Sequence, residues 1–343
     1  MAEDAGRKGA SFSAVLGHED AKRHLKAALS AGQMSHAYII EGAAGVGKSL
    51  LADAFVKALL CENRRENGDS CGICPSCRRL EHGSYPDVRY IAPAEGKSSI
   101  SVKQIRENLV ADINIRPYLG QFKVYILEKA DTLTPEAQNA MLKTIEEPPA
   151  YGLILLLAES SASFLPTVIS RCVKIALQPL SQDLILQGLE NNGIQGERAK
   201  LAASSSQGSL GRALLLCKDE EFEEMRQKLF GFLEKIPGSS MLEIMRGTSL
   251  WEEYDHRQEL FFSLMLIWYH DVLLYQELGE EADILCTDRT EGIDRSAAYY
   301  KKETVMNIID RIQDIDKRLK GGVHKALAID CLFMNLIGTE ETL

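Results

Sequence analysis

The residues of this 343-residue chain best equipped for chemistry fall in two short stretches. In the first, IIEGAAGVGKSL, Gly42, Gly47, Lys48 and Ser49 satisfy the pattern G-x-x-x-x-G-K-[ST]. Such a loop is a phosphate cradle. Its glycines let the backbone turn tightly and bring N–H groups close to an anion, and the helix that follows points its positive end at the same place. Lys48 would reach the β- and γ-phosphates and the Ser49 hydroxyl would sit on Mg²⁺, so the expected ligand is ATP or ADP with Mg²⁺. The second stretch holds Cys61, Cys71, Cys74 and Cys77, spaced C-x9-C-x2-C-x2-C. Thiolates on tight turns can converge on one tetrahedral Zn²⁺. With cysteine at all four positions the ion would be structural, with no open position for catalysis. The alternative for these thiols is a free or redox role. Without a metal, the polar loop 62–70 has almost nothing apolar to hold it.

A third position decides whether nucleotide is cut or only held. Hydrolysis needs an acidic residue at the end of a neighbouring strand for the Mg²⁺ shell, and usually a second one beside it to orient and deprotonate water. The apolar run KVYIL ends in Glu128, which can serve the metal, and Lys129 follows. A lysine protonated at neutral pH cannot be the base, and it sets a cation where water is to be activated. Asp131 lies two residues on, along a turning backbone, and is a poor substitute. The expectation is nucleotide binding with poor hydrolysis.

These groups need a scaffold of alternating strands and helices. Strand patterns occur at 36–41, 88–92, 123–127, 153–158 and 173–177. Helical patterns occur after Phe12 up to Leu29, at 49–60, at 102–113 behind a Ser101/Gln104 capping box, and at 136–146 behind Thr134-Pro135. The alternation predicts a parallel α/β sheet with the phosphate loop at the carboxyl end of a strand. Val15-Leu16-Gly17 either covers an adenine or packs into the core. Beyond Pro179 strand patterns stop. Helices are expected at 183–191, 197–204 and 210–218 as a small lid, then a more charged one at 220–233. The long apolar stretch 250–278 reads mostly as bundle core and partly as an oligomer interface. Closing helices are expected at 303–320 and 323–336, broken at Gly321-Gly322. The resulting division is 1–179 with a zinc module at 61–77, a helical lid at 180–219 and an all-α region at 220–343. Residues 1–10 are expected to be disordered. His256 and His270 read as structural, and Cys172, Cys217, Cys286 and Cys331 as buried apolar residues.

Composition narrows the function. The net charge of −10 makes the chain a poor stand-alone DNA binder, because phosphate neutralisation needs clustered Lys and Arg. The longest apolar runs, such as 153–158, are too short to span a membrane. The N-terminus lacks a signal-peptide core, so a cytoplasmic location is expected.

The run RPYLGQFKVYILEKADTLTPEAQNAMLKTIEEPP, then LPTVISRC, resembles the clamp-loader subunits of bacterial DNA polymerase III, and SHAYIIEGAAGVGKS and the cysteine cluster fit the same family. Residues 11–215 carry the similarity. The family belongs to the AAA+ ATPases, which implies a P-loop α/β domain, a helical lid and a helical collar joining five subunits. The resemblance implies that Gly42, Gly45, Gly47, Lys48 and Ser49 form the phosphate loop, that the four cysteines are zinc ligands, and that Glu128 stands at the metal-coordinating acid. It places Lys129 at the catalytic Glu, a departure that resembles the delta prime branch more than the gamma/tau motors. Ser160 or Ser161 falls near a polar sensing position. Gly211 stands where motors carry an arginine, with Arg212 one residue off register. Ser170-Arg171-Cys172 matches a motif whose arginine reaches a neighbour's ATP as an in-trans finger. The partners so implied are gamma/tau and delta in a hetero-pentamer, with the sliding clamp and primer–template DNA. Two other readings stay open: an ATP-hydrolysing gamma/tau-type motor, and a zinc-containing nucleic-acid adaptor with a vestigial phosphate loop.

Overall fold

A computed structural model of the chain describes residues 10–320 and 325–336. They form two compact units. One runs up to Gly188 and takes in Gly208–Gly211; the other comprises Leu189–Gln207 and the residues from Arg212 onward. Residues 1–9 and the Gly321-Gly322 break lie outside the described residues. Ala10, included in the expected disorder, is buried.

The first unit is built on five strands, β1 (Ala37–Glu41), β2 (Val88–Ile91), β3 (Lys123–Leu127), β4 (Gly152–Ala158) and β5 (Val173–Ala176). Their order is β2-β3-β4-β1-β5 and every pairing is parallel. β3 and β4 are buried at every position, as apolar runs covered by helices on both faces must be. The pleat deals their side chains into two cores. Tyr38, Ile40, Ile126 and Leu155 pack with the helices Glu19–Ala31 and Lys48–Leu59. Ile39, Tyr125, Leu127 and Leu156 pack with Ile105, Leu109 and the helix Pro135–Glu146. Because β4 lies between β1 and β3, the residues leaving all three carboxyl ends share one edge of the sheet. This is the parallel α/β sheet that the alternation of strands and helices predicts.

Helix starts follow local chemistry. The Thr134 hydroxyl accepts from the N–H of Ala137 at 3.2 Å with Pro135 in the first turn, and Ser101 and Gln104 form the expected capping box. The helix expected over 102–113 is α-helical only over Val102–Ile105. It then widens into a π turn at Arg106–Val110, where the Ala111 N–H reaches the Arg106 carbonyl. The Asn108 amide donates to the Gln104 carbonyl at 3.0 Å and competes with the regular ladder there.

The second unit is helical. Its long helix Gln258–Leu278 is flanked by Glu220–Leu233, Thr290–Tyr299 and Lys302–Lys320. Burial of Phe261, Leu264, Met265, Trp268 and Val272 accounts for its wide apolar stripe, with the Phe230 ring 5.4 Å from Trp268. The stretch 250–278 is not continuous: the helix Arg246–Glu253 ends at Tyr254, and a short turn precedes Gln258. Arg257 in that turn pairs with Asp219 at 2.5 Å and Glu221 at 2.6 Å, which fixes the break. His256 sits 2.8 Å from a Glu221 oxygen, a structural contact. Cys331 is exposed, not buried as expected, because its face of the helix Lys325–Asn335 points outward. Among the described residues no helix is long and apolar enough to cross a membrane.

One polar cluster ties the sheet of the first unit to its flank. Lys123 is buried at the start of β3, with its ammonium 3.0 Å from Asp112. Tyr125 donates to the same carboxylate at 2.7 Å, and Arg89 lies 2.9 Å away. Burial pushes the Asp112 carboxyl up, but Tyr125, Lys123 and Arg89 more than reverse this and hold it below its ordinary value. A carboxyl depressed on folding stabilises above its unfolded pKa of about 4 and loses that contribution as pH falls through its folded value. Asp112→Asn is expected to cost about 2 kcal/mol in urea unfolding at neutral pH. The gap to wild type should narrow below about pH 4; a gap independent of pH would contradict this assignment.

Candidate nucleotide and metal sites

After β1 the backbone turns through Gly42, Gly45 and Gly47, with φ of 155°, 71° and 114°. These are left-handed angles that side chains rarely adopt. A Cβ on Gly42 would also stand 2.8 Å from the Leu177 carbonyl oxygen. The helix Lys48–Leu59 begins directly after Gly47, with no side chain capping its first turn. Lys48 lies across the loop, its ammonium donating to the Gly42 carbonyl at 2.6 Å and to Ala43 at 2.9 Å. Burial lowers its pKa, against the opposing charges of Glu159 and Asp131. Ser49 is exposed in the first turn of the helix.

Successive carbonyls of the loop are held from outside. The Ser209 hydroxyl donates to Ala44 at 2.8 Å and the Gly211 N–H to Gly45 at 3.0 Å. His18 Nε2 lies 3.0 Å from the Val46 carbonyl; since a carbonyl only accepts, that nitrogen carries the proton. Burial is the largest influence on His18 and lowers its pKa, favouring the neutral ring. Gly211 stands inside the helix Leu210–Leu216, where glycine costs about 1 kcal/mol relative to alanine. The reason is close approach: a Cβ there would meet Gly45 Cα at 2.9 Å and its carbonyl oxygen at 3.1 Å. The sequence presented Gly211 as a missing arginine, whereas its backbone holds the phosphate loop. Arg212 is engaged elsewhere, with Gln207 and Glu259 at 3.2 and 3.3 Å.

At the end of β3, Glu128 is half-buried and Lys129 is exposed in a left-handed conformation with φ 52°. The Lys129 carbonyl accepts from the Thr132 hydroxyl at 2.7 Å, fixing the turn that places Asp131. Glu159 follows β4 directly, and sequence reasoning overlooked it. The Ser160 hydroxyl caps a short turn by accepting from the Ala162 N–H at 3.2 Å, and the Ser161 N–H donates to Glu41 at 2.9 Å. Arg171 is half-exposed beyond the short helix Pro166–Ile169. It pairs with Glu146 at 2.8 Å and donates to the Thr167 carbonyl at 2.9 Å.

The four expected metal ligands do come together. The Sγ atoms of Cys61, Cys71, Cys74 and Cys77 all lie within 4.8 Å of one another, with Cys61–Cys74 at 4.0 Å and Cys71–Cys77 at 3.9 Å. Tetrahedral Zn²⁺ with metal–sulfur bonds of about 2.3 Å needs sulfurs about 3.8 Å apart, so the set fits the ion. Backbone N–H groups point at the sulfurs: Cys71 to Cys61 at 3.2 Å, Cys74 to Cys71 at 3.3 Å and Cys77 to Cys74 at 3.4 Å. Such donors stabilise thiolates, and the amides of Ile73 and Cys74 bring the Cys71 thiol down to about 6.

A family model described as "DNA polymerase III, delta subunit" matches residues 17–181. The Bacillus subtilis DNA polymerase III subunit delta' is 30% identical over 85% of this chain and 88% of its own length. The Escherichia coli delta' subunit is 34% identical over 64% of this chain and 66% of its own. The E. coli DNA polymerase III subunit tau is 33% identical over 60% of this chain, but the aligned part is only 32% of that protein.

The Gly211 contact is directly testable. Gly211→Ala gains helix propensity, yet the new methyl meets backbone that cannot yield. A net loss of about 1–3 kcal/mol in urea unfolding is expected. A stabilised variant would show that the close approach to Gly45 does not exist.

Proposed function

The chain belongs to the delta prime family of bacterial DNA polymerase III subunits, and from that premise we propose that it is a clamp-loader subunit that holds nucleotide and hydrolyses it poorly. The observation that carries this reading is a glycine-built phosphate loop in a chain with an exposed, left-handed lysine, Lys129, where the family's motors place their base. Gly42, Gly45, Gly47, Lys48 and Ser49 would hold the phosphates and Glu128 would serve Mg²⁺. Bound Mg²⁺–nucleotide would supply a cleavable γ-phosphoryl group, but Lys129 offers no carboxylate to take a proton from water. The four cysteines would carry structural Zn²⁺.

In the assembled loader this subunit would sit beside gamma/tau and delta in a hetero-pentamer joined through 220–343, with 180–219 as the lid. The complex would open the sliding clamp and place it on primer–template DNA in the bacterial cytoplasm. Arg171 is the residue proposed to act chemically, as a finger toward a neighbour's nucleotide. To do so it would exchange Glu146 for phosphate oxygens. The motor-type reading has one observation in its favour: Asp131 and Glu159 both place negative charge near Lys48, and either could orient a water.

Two measurements separate these readings. The purified chain should bind Mg²⁺–ATP saturably with turnover near background, and Lys48→Ala should weaken binding at least about a hundredfold. Brisk turnover by the chain alone, lost in Glu159→Gln, would establish the motor reading instead. In a loader reconstituted with gamma/tau and delta, Arg171→Ala should leave assembly intact and lower complex ATPase by about a thousandfold. Unchanged hydrolysis by that complex would remove the finger role.

A further inference from the structure

We infer that the zinc module braces the phosphate loop, and that Asp69 is the positioning residue linking the two; the inference rests on the nucleotide-holding reading above. Asp69 lies in the loop closed by Cys61 and Cys71 and is 2% exposed. One carboxylate oxygen accepts the N–H of Phe12 at 3.1 Å and of Ser70 at 2.9 Å, and the other accepts the N–H of Ser13 at 3.1 Å. A buried carboxylate facing amides depends on every one of them, because each lost donor leaves charge unsatisfied. The N-terminal turn Phe12–Ala14 is therefore held by the zinc loop as well as by its own bonds from Ala14 to Ser11 and from Val15 to Phe12.

From that turn only a few residues lead to the nucleotide site. Phe12 and Val15 are buried, and Lys22 donates to the Val15 carbonyl at 2.9 Å. His18 then touches the Val46 carbonyl of the phosphate loop at 3.0 Å. The module also grips the helices flanking this path. Arg64 donates to the Leu29 carbonyl at the end of Glu19–Ala31 and to the Ala58 carbonyl near the end of Lys48–Leu59, each at 3.0 Å.

What fixes Asp69 is the tight turn around it. The Asn67 side chain accepts the Asp69 N–H at 3.0 Å, and the Arg65 N–H reaches the Asp69 carbonyl at 2.9 Å. Between Cys61 and Pro75 the chain has no helix or strand to keep that turn in place. Zn²⁺ held by the four cysteines would close the loop and spend metal-binding free energy on ordering it. The loop so ordered would act through Asp69, residues 12–18 and His18 on the anion cradle.

The test uses the full chain and three readouts: zinc content, Mg²⁺–ATP affinity by titration, and backbone amide exchange. Asp69→Ala should keep stoichiometric zinc yet bind Mg²⁺–ATP about tenfold more weakly. Its amides over 12–18 should exchange faster while those of β1 and β4 keep wild-type protection, which general destabilisation would not spare. Asp69→Asn, which keeps one acceptor oxygen, should fall between the two. Stripping zinc from wild type with a chelator should reproduce the Asp69→Ala pattern, and stripping the variant should add nothing further, as expected of two elements on one path. Additive losses, or unchanged affinity and unchanged 12–18 protection in zinc-stripped wild type, would overturn the brace. If wild type binds no Mg²⁺–ATP, the nucleotide reading fails, and the exchange of 12–18 alone decides whether the module holds that segment.

Discussion

The phosphate loop depends on a backbone that is turned outside-in. A trans peptide points its carbonyl and its N–H in opposite directions. The Ala44 carbonyl is taken by Ser209 and the Val46 carbonyl by His18, so the N–H groups of Gly45 and Gly47 face away from those donors and are available to an anion. The Val46 N–H instead closes a turn onto the Ala43 carbonyl. This orientation survives only if both ends of the loop are fixed. At its start, Glu41 is paired with Ala158 on one side and Ala176 on the other, and the Gly42 N–H continues the ladder to Ala158. At its end, Lys48–Leu59 is buried along most of its length against the sheet. A loop held at both ends and along its carbonyls is preorganised, and binding need not supply the ordering.

Electrostatics at the same edge would favour a metal-bound nucleotide, the ligand proposed above, over a bare one. Asp131 and Glu159 bias the potential around Lys48 toward negative. A polyphosphate alone would meet repulsion there, and a divalent cation reverses it. Lys129, which follows the acid at the end of β3, is exposed on a left-handed backbone. Carboxylates around a cradle would suit the Mg²⁺ of the proposed ligand. Hydrolysis asks for more, a base aimed at one water, and the residue that follows the β3 acid is a lysine, not a carboxylate.

What the sequence made legible was local. The fully apolar runs became β3 and β4, the Thr134-Pro135 and Ser101/Gln104 signals became helix starts, and the cysteine spacing became a cluster, because each is settled by neighbours a few residues away. What stayed hidden depends on pairings between distant segments. Glu159 gains meaning only once β4 is known to lie beside β1. Gly211 looked like a deleted side chain because nothing local says that its amide meets Gly45. Asp69 read as one polar residue in an unsupported loop, yet its partners Phe12 and Ser13 lie more than fifty residues away. The break at Tyr254 was likewise set by Arg257 reaching Asp219 and Glu221, not by a helix breaker in the apolar stretch itself.

The Arg171–Glu146 pair shows how a proposed finger can be held without being trapped. Both side chains are more than a third exposed, and such pairs contribute about 0–1 kcal/mol. That is enough, together with the Thr167 carbonyl, to bias the guanidinium toward one orientation. It is far too little to compete with a polyphosphate in a desolvated interface, where bidentate, charge-assisted contacts are shorter and stronger. A buried partner would have reversed this balance, because leaving it would strand a charge without water. Placing Glu146 at the exposed end of Pro135–Glu146 would therefore let a finger at Arg171 exchange partners at little cost.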